Sequence, residues 1–372
     1  MTNDFGPRAG GIETFIIGLI ERMPFGSVTV YTSQQGDTAQ YDHTWQVNCG
    51  VTVIRDRAKI LLPTPRITRA VAAVIKKEGI PVVAFGAAAP LAWMSSTLRR
   101  AGARRIVALT HGHEVWWSKL FPFNLIMRRI GNTTDALTYL GDFTKNAISA
   151  ALSKKAAQAM VKIAPGIDIE HFKPTDASDL KRELGLENKK ILVSVGRLVH
   201  RKGQDKLIEA MQAIVQLIPE AHLVLVGEGP YRKHLVELVN RYNLTSCVSF
   251  IGRIQYSELP RYISIGDVFA MPSRSRFFGL EVEGLGIVYL EASACGLPVI
   301  AGKSGGAPDA VVEGVTGLVV DGLDAAAIAV AAIELLSDSK RSQVMGLAGR
   351  EWIEKQWRWE LWAKEFSDLL HN

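Results

Sequence analysis

Short β-branched runs alternate along the chain with longer stretches whose apolar positions recur every three to four residues. In the first half, segments 28–31, 51–54, 81–85, 105–109, 135–139 and 160–164 read as strands, and 66–78, 90–101 and 142–152 as helices between them. A second block repeats the rhythm, with strands expected at 191–195, 222–226, 247–250, 267–270, 298–301 and 317–320. Helical patterns over 203–217, 231–240 and 325–336 separate them. Strand and helix in alternation predict parallel sheets covered on both faces, hence an α/β protein of two doubly wound domains.

Turn formers mark the join. The stretch Pro165-Gly166-Ile-Asp168-Ile-Glu-His-Phe172-Lys-Pro174 interrupts the pattern and reads as a linker. The expected organisation is a first domain over 1–164, a linker over 165–174, a second domain over 175–350 and a terminal segment over 351–372. That last segment, with Trp352, Trp357, Trp359 and Trp362, is aromatic and amphipathic, which suits packing across a domain seam.

Composition agrees: 372 residues exceed one comfortable core, and 48% hydrophobic with 22% charged describes a folded, soluble chain. Cys49, Cys247 and Cys295 have neither metal-ligand nor paired spacing, which fits a reducing compartment. No apolar run reaches bilayer length and no signal peptide opens the chain, so a cytoplasmic or peripheral protein is expected. Charge is unevenly shared. Residues 1–164 hold 20 Lys and Arg against 10 Asp and Glu, whereas the remainder holds 23 against 27. Arg99, Arg100, Arg104, Arg105, Lys119, Arg128 and Arg129 fall close to Trp116, Trp117, Phe121 and Phe123. Cations beside aromatics suit an anionic membrane surface; nucleic acid and ordinary solvated helix faces are the competing readings.

The chemistry concentrates in the second half. Glu283 and Glu291 flank Gly284 and Gly286, and an apolar helix is expected to open near Gly286 or Ile287. Free amides and the helix dipole there favour a diphosphate. A carboxylate accepts hydrogen bonds from two hydroxyls, so one acid suits a sugar and the other a ribose. The alternative is a capping Glu283 and a solvated Glu291. After the strand 191–195 comes a glycine-flanked loop with Arg197 and Lys202 five positions apart, matched to phosphate or else a basic surface turn. Gly227-Glu-Gly229 reads as a tight turn, and the strand end at Gly252, Arg253 and Ile254 offers backbone groups to a base edge, with ordinary structural packing as the more common alternative. In the first half, His111, His113 and Glu114 leave a strand end together, open to zinc or to hydrogen bonding toward a sugar.

Taken together, these residues resemble glycosyltransferase family 4. Glu283 to Glu291 matches the E-x7-E motif of its retaining GT-B enzymes, joined by Gly196-Arg197-Leu with Lys202, by Gly305-Gly306 and by Gly10-Gly11. Pro7-Arg-x-Gly10-Gly11-Ile, Leu62-Pro-Thr-Pro65, Phe85-Gly-Ala-Ala-Ala-Pro90 and Thr110-His-Gly-His-Glu-Val115 resemble the actinobacterial GDP-mannose-dependent phosphatidylinositol monomannoside mannosyltransferases. The likeness covers essentially the whole chain.

The resemblance implies two Rossmann-like domains facing a cleft, with a terminal helix crossing back to the first. It implies mannose transfer from GDP-mannose to a phosphoinositide-type lipid through an alpha-1,6 linkage, at the inner face of the cell membrane, with no metal, cofactor or nucleic acid. Arg197 and Lys202 would hold the diphosphate, Glu283 the mannose hydroxyls, Glu291 the ribose and Ile254 the base. Gly286 and Ile287 would supply helix-start amides, Gly11 would approach the diphosphate, and His111 would bond the donor sugar, with His113 its competitor. Family members begin with a hydrophobic strand before Asn-Asp-Phe, whereas Met1-Thr-Asn-Asp4 opens this chain, so most of a first strand is expected upstream. A family 4 enzyme with another donor or a soluble acceptor shares every phosphate-binding feature. A sugar-nucleotide epimerase and a non-catalytic membrane-binding module are the other classes considered. Oligomeric state is not encoded in any of these features.

Overall fold

The computed structural model describes residues 1–8 and 10–371. It divides into two compact units, Met1–Gly166 with the terminal helix Trp359–His371, and Ile167–Arg358.

In the first unit, helix α1 (Gly11–Ile20) precedes β1 (Thr29–Ser33) and β2 (Thr52–Asp56), which pair in parallel. Helix α2 (Pro65–Glu78) shows why such segments form where they do. The Thr64 side chain accepts from the Ile67 amide, Pro65 fits the first turn, and Gly79 ends the helix at φ 64°. Ile67, Val71 and Ile75, four apart, form its buried stripe. Four further strands follow: β3 (Val82–Phe85), β4 (Arg105–Ala108), β5 (Ala136–Tyr139) and β6 (Val161–Lys162), all parallel in chain order, with helix α3 (Phe123–Thr133) between β4 and β5.

The second unit carries β7 (Lys190–Val195), β8 (Ala221–Val226), β9 (Val248–Gly252), β10 (Val268–Met271), β11 (Val299–Gly302) and β12 (Gly317–Val320). Its order is β12-β11-β10-β7-β8-β9, parallel throughout. Helix α4 (Gln204–Leu217) follows β7 and helix α5 (Ile287–Ala294) follows β10. Strand order reverses beside β7, so the loops leaving β7 and β10 part around a crevice at their carboxyl ends, where sheets of this kind hold ligands.

The α/β, doubly wound class follows the sequence pattern. The boundaries differ at the carboxyl end. Helix α6 (Ser339–Gln356) runs on unbroken, so residues 351–358, expected in the terminal crossover, complete the second unit. Residues from Ile167 onward, expected as linker, also belong there: the Ile167 amide donates to Trp357 O at 2.6 Å, and the Arg350 guanidinium donates to the carbonyls of Phe172 and Ile169. No described helix is long and apolar enough to cross a membrane.

Candidate active site

Two glycine turns build the floor of the site at the β7/β10 reversal. Gly203, at φ 76°, lies so near the β10 loop that an added Cβ would stand 1.9 Å from Pro272 O. The Gly227–Gly229 turn interlocks with the loop after β7, because a Cβ at Gly227 would stand 2.1 Å from Gly196 O. Backbone bonds from Leu198 N to Glu228 O (3.0 Å) and from Tyr231 N to Leu198 O (3.1 Å) close that contact.

The 3-10 turn His200–Lys202 then aims two adjacent cations at one carboxylate oxygen. Lys202 Nζ lies 2.8 Å, and Arg201 Nη1 2.6 Å, from Oε2 of Glu283. Glu283 and Lys202 are both buried. Burial alone would raise the Glu283 pKa; Lys202 and then Arg201 outweigh it and hold the carboxyl below its ordinary value. Arg197 does not join this group: its side chain is exposed and forms no ion pair among the described residues. The cation beside Lys202 is Arg201, which the five-residue spacing of Arg197 and Lys202 passes over. Its signal is adjacency to Lys202 just before Gly203.

Buried Arg274 fixes the turn. It bonds both Asp205 carboxylate oxygens (2.8 and 2.7 Å), donates from Nε to His200 Nδ1 and, through its own amide, donates to Arg201 O at 2.8 Å. Such a bidentate, nearly dry pair positions a loop more rigidly than a single ion contact.

The glutamate strap is held by backbone. The Gly306 amide donates to Glu283 O (2.8 Å) and the Glu283 amide to Ser304 Oγ (3.2 Å). Gly305 and Gly306 are required by proximity, since a Cβ on either would fall within 2.2 Å of the Glu283 or Gly284 carbonyl oxygen. Gly286, at φ 80°, starts α5, and Tyr289 anchors that helix by donating its hydroxyl to Met271 O at 2.7 Å. The Tyr289 amide bonds Gly286 O, leaving Ile287 and Val288 amides at the helix start without a helical acceptor.

Glu291 lies one turn further along α5. Its carboxylate is buried, has no hydrogen bond or ion pair among the described residues, and is pushed up to about 7 by burial, against which Lys202 pulls. Ile254, half-buried, follows β9. The preceding Gly252 stands close to Glu228: a Cβ there would be 3.2 Å from Glu228 Oε1. Thus Lys202, Glu283, Gly286, Ile287 and Glu291 gather around the start of one helix, with unpaired donors and an acid lacking a partner. That set can bind an anion beside a diol.

The first unit holds the remaining candidates. Gly11 opens α1, and a Cβ there would meet nothing within 4 Å, so the glycine leaves open space above the first-turn amides. Gly10 is crowded by Glu13, which accepts from Arg8 Nε at 2.6 Å while Arg8 also reaches Asp4 at 3.0 Å; sequence reasoning did not anticipate this acid-base-acid array. His111 is buried, with Nε2 bonded to Gly86 O. Burial lowers its pKa, so it is a neutral imidazole with Nδ1 unspent. Its amide donates to Glu114 Oε2 at 2.9 Å. His113 is more exposed, with Nε2 3.2 Å from Glu114 Oε1. No described group of three or more His, Cys, Asp or Glu is arranged to hold a metal, so the zinc reading of His111, His113 and Glu114 finds no site.

Comparison with known proteins places this geometry in context. Residues 9–171 match the family model described as Glycosyltransferase Family 4, and residues 176–352 that described as Glycosyl transferases group 1. The chain is 43% identical over its whole length to the "GDP-mannose-dependent alpha-(1-6)-phosphatidylinositol monomannoside mannosyltransferase" of Mycolicibacterium smegmatis, covering 97% of that protein. It is 40% identical, with the same coverage, to the corresponding "monoacylated" phosphatidylinositol monomannoside mannosyltransferase of Corynebacterium glutamicum. Among solved structures, HepE of Anabaena with UDP superposes with a TM-score of 0.82 over 100% of this chain and 98% of that one, at 20% identity, a likeness of fold.

Proposed function

The chain belongs to glycosyltransferase family 4, with the GT-B fold, and from that premise we propose that it transfers mannose from GDP-mannose to a phosphatidylinositol monomannoside through an alpha-1,6 linkage. The observation that carries the reading is the convergence of Lys202, Arg201 and the α5 amides around Glu283, in a chain 43% identical over its full length to an enzyme of that name.

The diphosphate is the natural counter-ion for this cluster. When it arrives, Lys202 exchanges the Glu283 oxygen for a phosphate oxygen, exposed Arg197 adds a second cation, and the Ile287 and Val288 amides meet the remaining charge. Glu283, still held by Arg201, turns its acceptor oxygens to mannose hydroxyls. Glu291 takes the ribose diol and backbone near Ile254 the base. The Gly11 amide and His111 Nδ1 are assigned to the diphosphate and the sugar. Bond breaking at the anomeric carbon moves negative charge onto the diphosphate while the sugar becomes oxocarbenium-like. Fixed cations and helix amides stabilise that state without reorganising. The acceptor hydroxyl attacks from the departing face, its proton passing to a donor phosphate oxygen, so configuration is retained. These protein groups supply the positive charge themselves, so no metal is invoked.

A membrane-borne acceptor is supported by exposed apolar groups among cations on the first unit. Phe121, Leu120 and Leu125 are exposed, and Arg129 stacks over exposed Trp93 at 4.5 Å. Ile60 and Leu62 stand exposed between Arg57, Lys59 and Arg66, a patch not anticipated from sequence. Trp116, Trp117 and Phe123, by contrast, pack on one another at about 5 Å and form a local cluster. Peripheral binding at the inner leaflet fits this surface.

Calorimetry with GDP and UDP tests the donor. Tighter GDP uptake supports the reading; UDP preference would favour a family 4 enzyme with another donor.

A further inference from the structure

Of the three described non-glycine residues at positive φ, two are consecutive and aromatic: Phe277 at 50° and Phe278 at 55°, followed by Gly279 at 79°. Bulky side chains rarely accept the left-handed region. Both rings also stand in water, Phe278 fully exposed and Phe277 at 61%, on the loop that joins β10 to the start of α5. Strained backbone under an exposed apolar pair points to function rather than packing.

A latch holds the loop in that shape. The amides of Arg276 and Glu281 donate to each other's carbonyl oxygens (2.9 and 3.2 Å), and Arg276 Nη1 lies 3.1 Å from Glu281 Oε2. Between them, the Gly279 amide donates to Arg276 O (3.0 Å), the Leu280 amide to Phe277 O (3.1 Å), and the Arg276 guanidinium covers the Phe277 ring at 4.6 Å. The six residues therefore form a rigid finger with an aromatic tip. Its base reaches the Glu283 pocket: Arg201 Nε lies 3.7 Å from Glu281 Oε1, while Nη1 of the same guanidinium holds Glu283.

We propose that Phe277 and Phe278 insert into the interfacial layer of a phospholipid bilayer, giving the second unit a membrane contact of its own, distinct from the exposed groups of the first unit. The choice of a bilayer rests on the lipid acceptor proposed above and on three features of the finger. Two phenyl rings expose on the order of 300 Å², well under the roughly 800 Å² that each side of a stable protein interface buries. The tip is too small to hold a protein partner, yet enough to enter the headgroup boundary. Half-exposed Arg276 and Arg201 outnumber half-exposed Glu281 at its base, which favours anionic lipid. The latch orders the tip before contact, so insertion costs little further conformational entropy. Because Arg201 links Glu281 to Glu283, the depth of insertion also sets how far the Glu283 pocket stands from the lipid surface.

The test measures cosedimentation of the full chain with vesicles of phosphatidylcholine, with and without phosphatidylinositol. In the double variant Phe277→Asn with Phe278→Asn, asparagine accepts the left-handed region and removes the rings without disturbing the latch. The proposal expects this variant to bind phosphatidylinositol vesicles at least about 10-fold more weakly than the parent, with GDP affinity unchanged. It expects Phe278→Trp to bind as the parent does and to add a blue-shifted emission component on vesicles. Equal vesicle binding by parent and double variant, no binding by either, or added emission that stays at its aqueous position would overturn it. Transfer in detergent micelles is followed on the same proteins. Micellar transfer lost by the double variant while its vesicle binding is unchanged would assign the rings to the acceptor headgroup and also overturn the bilayer contact. Absence of mannose transfer in every protein, with vesicle binding that still depends on Phe277 and Phe278, would count against the assigned reaction and leave the finger standing.

Discussion

Lys202 Nζ lies 2.8 Å from Glu283 Oε2 in a pocket where both side chains are buried, and the adjacent Arg201 of the same 3-10 turn reaches the same oxygen at 2.6 Å. A buried carboxylate shared by two cations is neutralised and held still. It is also the arrangement an incoming phosphate would compete for, because phosphate oxygens offer Lys202 the same charge-assisted contact.

Replacing Lys202 by Ala removes the buried cation. GDP affinity is expected to fall about 10- to 100-fold, the range for a charged hydrogen bond lost at a dry site, as read by calorimetry. Unchanged affinity would place the diphosphate elsewhere.

Arg201 is predicted to act through Glu283. The Arg201→Ala variant leaves Lys202 as the sole cation on that carboxyl, and Lys202 leaves when donor binds. The acid limb of the kcat profile, which reports groups in the donor complex, should therefore move to higher pH, with kcat reduced more than affinity for GDP. Arg201→Lys should restore most of the shift. A profile identical to the parent would show that Arg201 only packs.

Glu291 gives a pH dependence of opposite origin. Burial holds its folded pKa near 7, above the ordinary carboxyl value, so it is largely neutral below that pH and ionised above it. Only the ionised form is free to accept from both ribose hydroxyls. GDP-mannose affinity should therefore rise as pH goes from about 6 to about 8, a range in which both donor phosphates stay ionised. In Glu291→Gln the affinity should be weak and flat with pH. Isothermal titration at three pH values in each protein decides it. Stability moves in the opposite direction to affinity: the neutral buried acid stabilises the fold at low pH, and that contribution is lost as pH rises through about 7.

The two histidines separate by function. His111 is buried and neutral with Nδ1 unspent, so His111→Ala should lose transfer by about 100-fold while binding GDP, which lacks the mannose, nearly as well. His113→Ala should cost much less. The reverse order would assign the sugar contact to His113.

Legibility in the sequence tracked locality. Strands such as 191–195 appear within a residue of β7, because β-branched runs between turn formers determine themselves. The boundary at 351 was misread because α6 continues to Gln356 without a breaker, and no local signal distinguishes the helix that stays in the second unit from the one at Trp359 that returns to the first. Glu283, Gly286 and Glu291 could be read together because one helix start fixes their spacing. Arg201 could not, since the direction of its side chain depends on the turn that Arg274 and Asp205 hold from distant positions. The aromatic wealth around Trp116 suggested a membrane face, yet much of it is mutual ring packing, and part of the exposed apolar surface lies at Ile60 and Leu62.

Transfer itself is the most direct measurement. Radiolabelled GDP-mannose is incubated with the protein and with phosphatidylinositol or its monomannoside in mixed micelles, and lipid products are separated and digested with linkage-specific mannosidases. The account predicts label in a dimannoside, formed from the monomannoside and released by an α-mannosidase, with little product from phosphatidylinositol. No lipid-linked label from either acceptor, in a preparation that binds GDP, would contradict it.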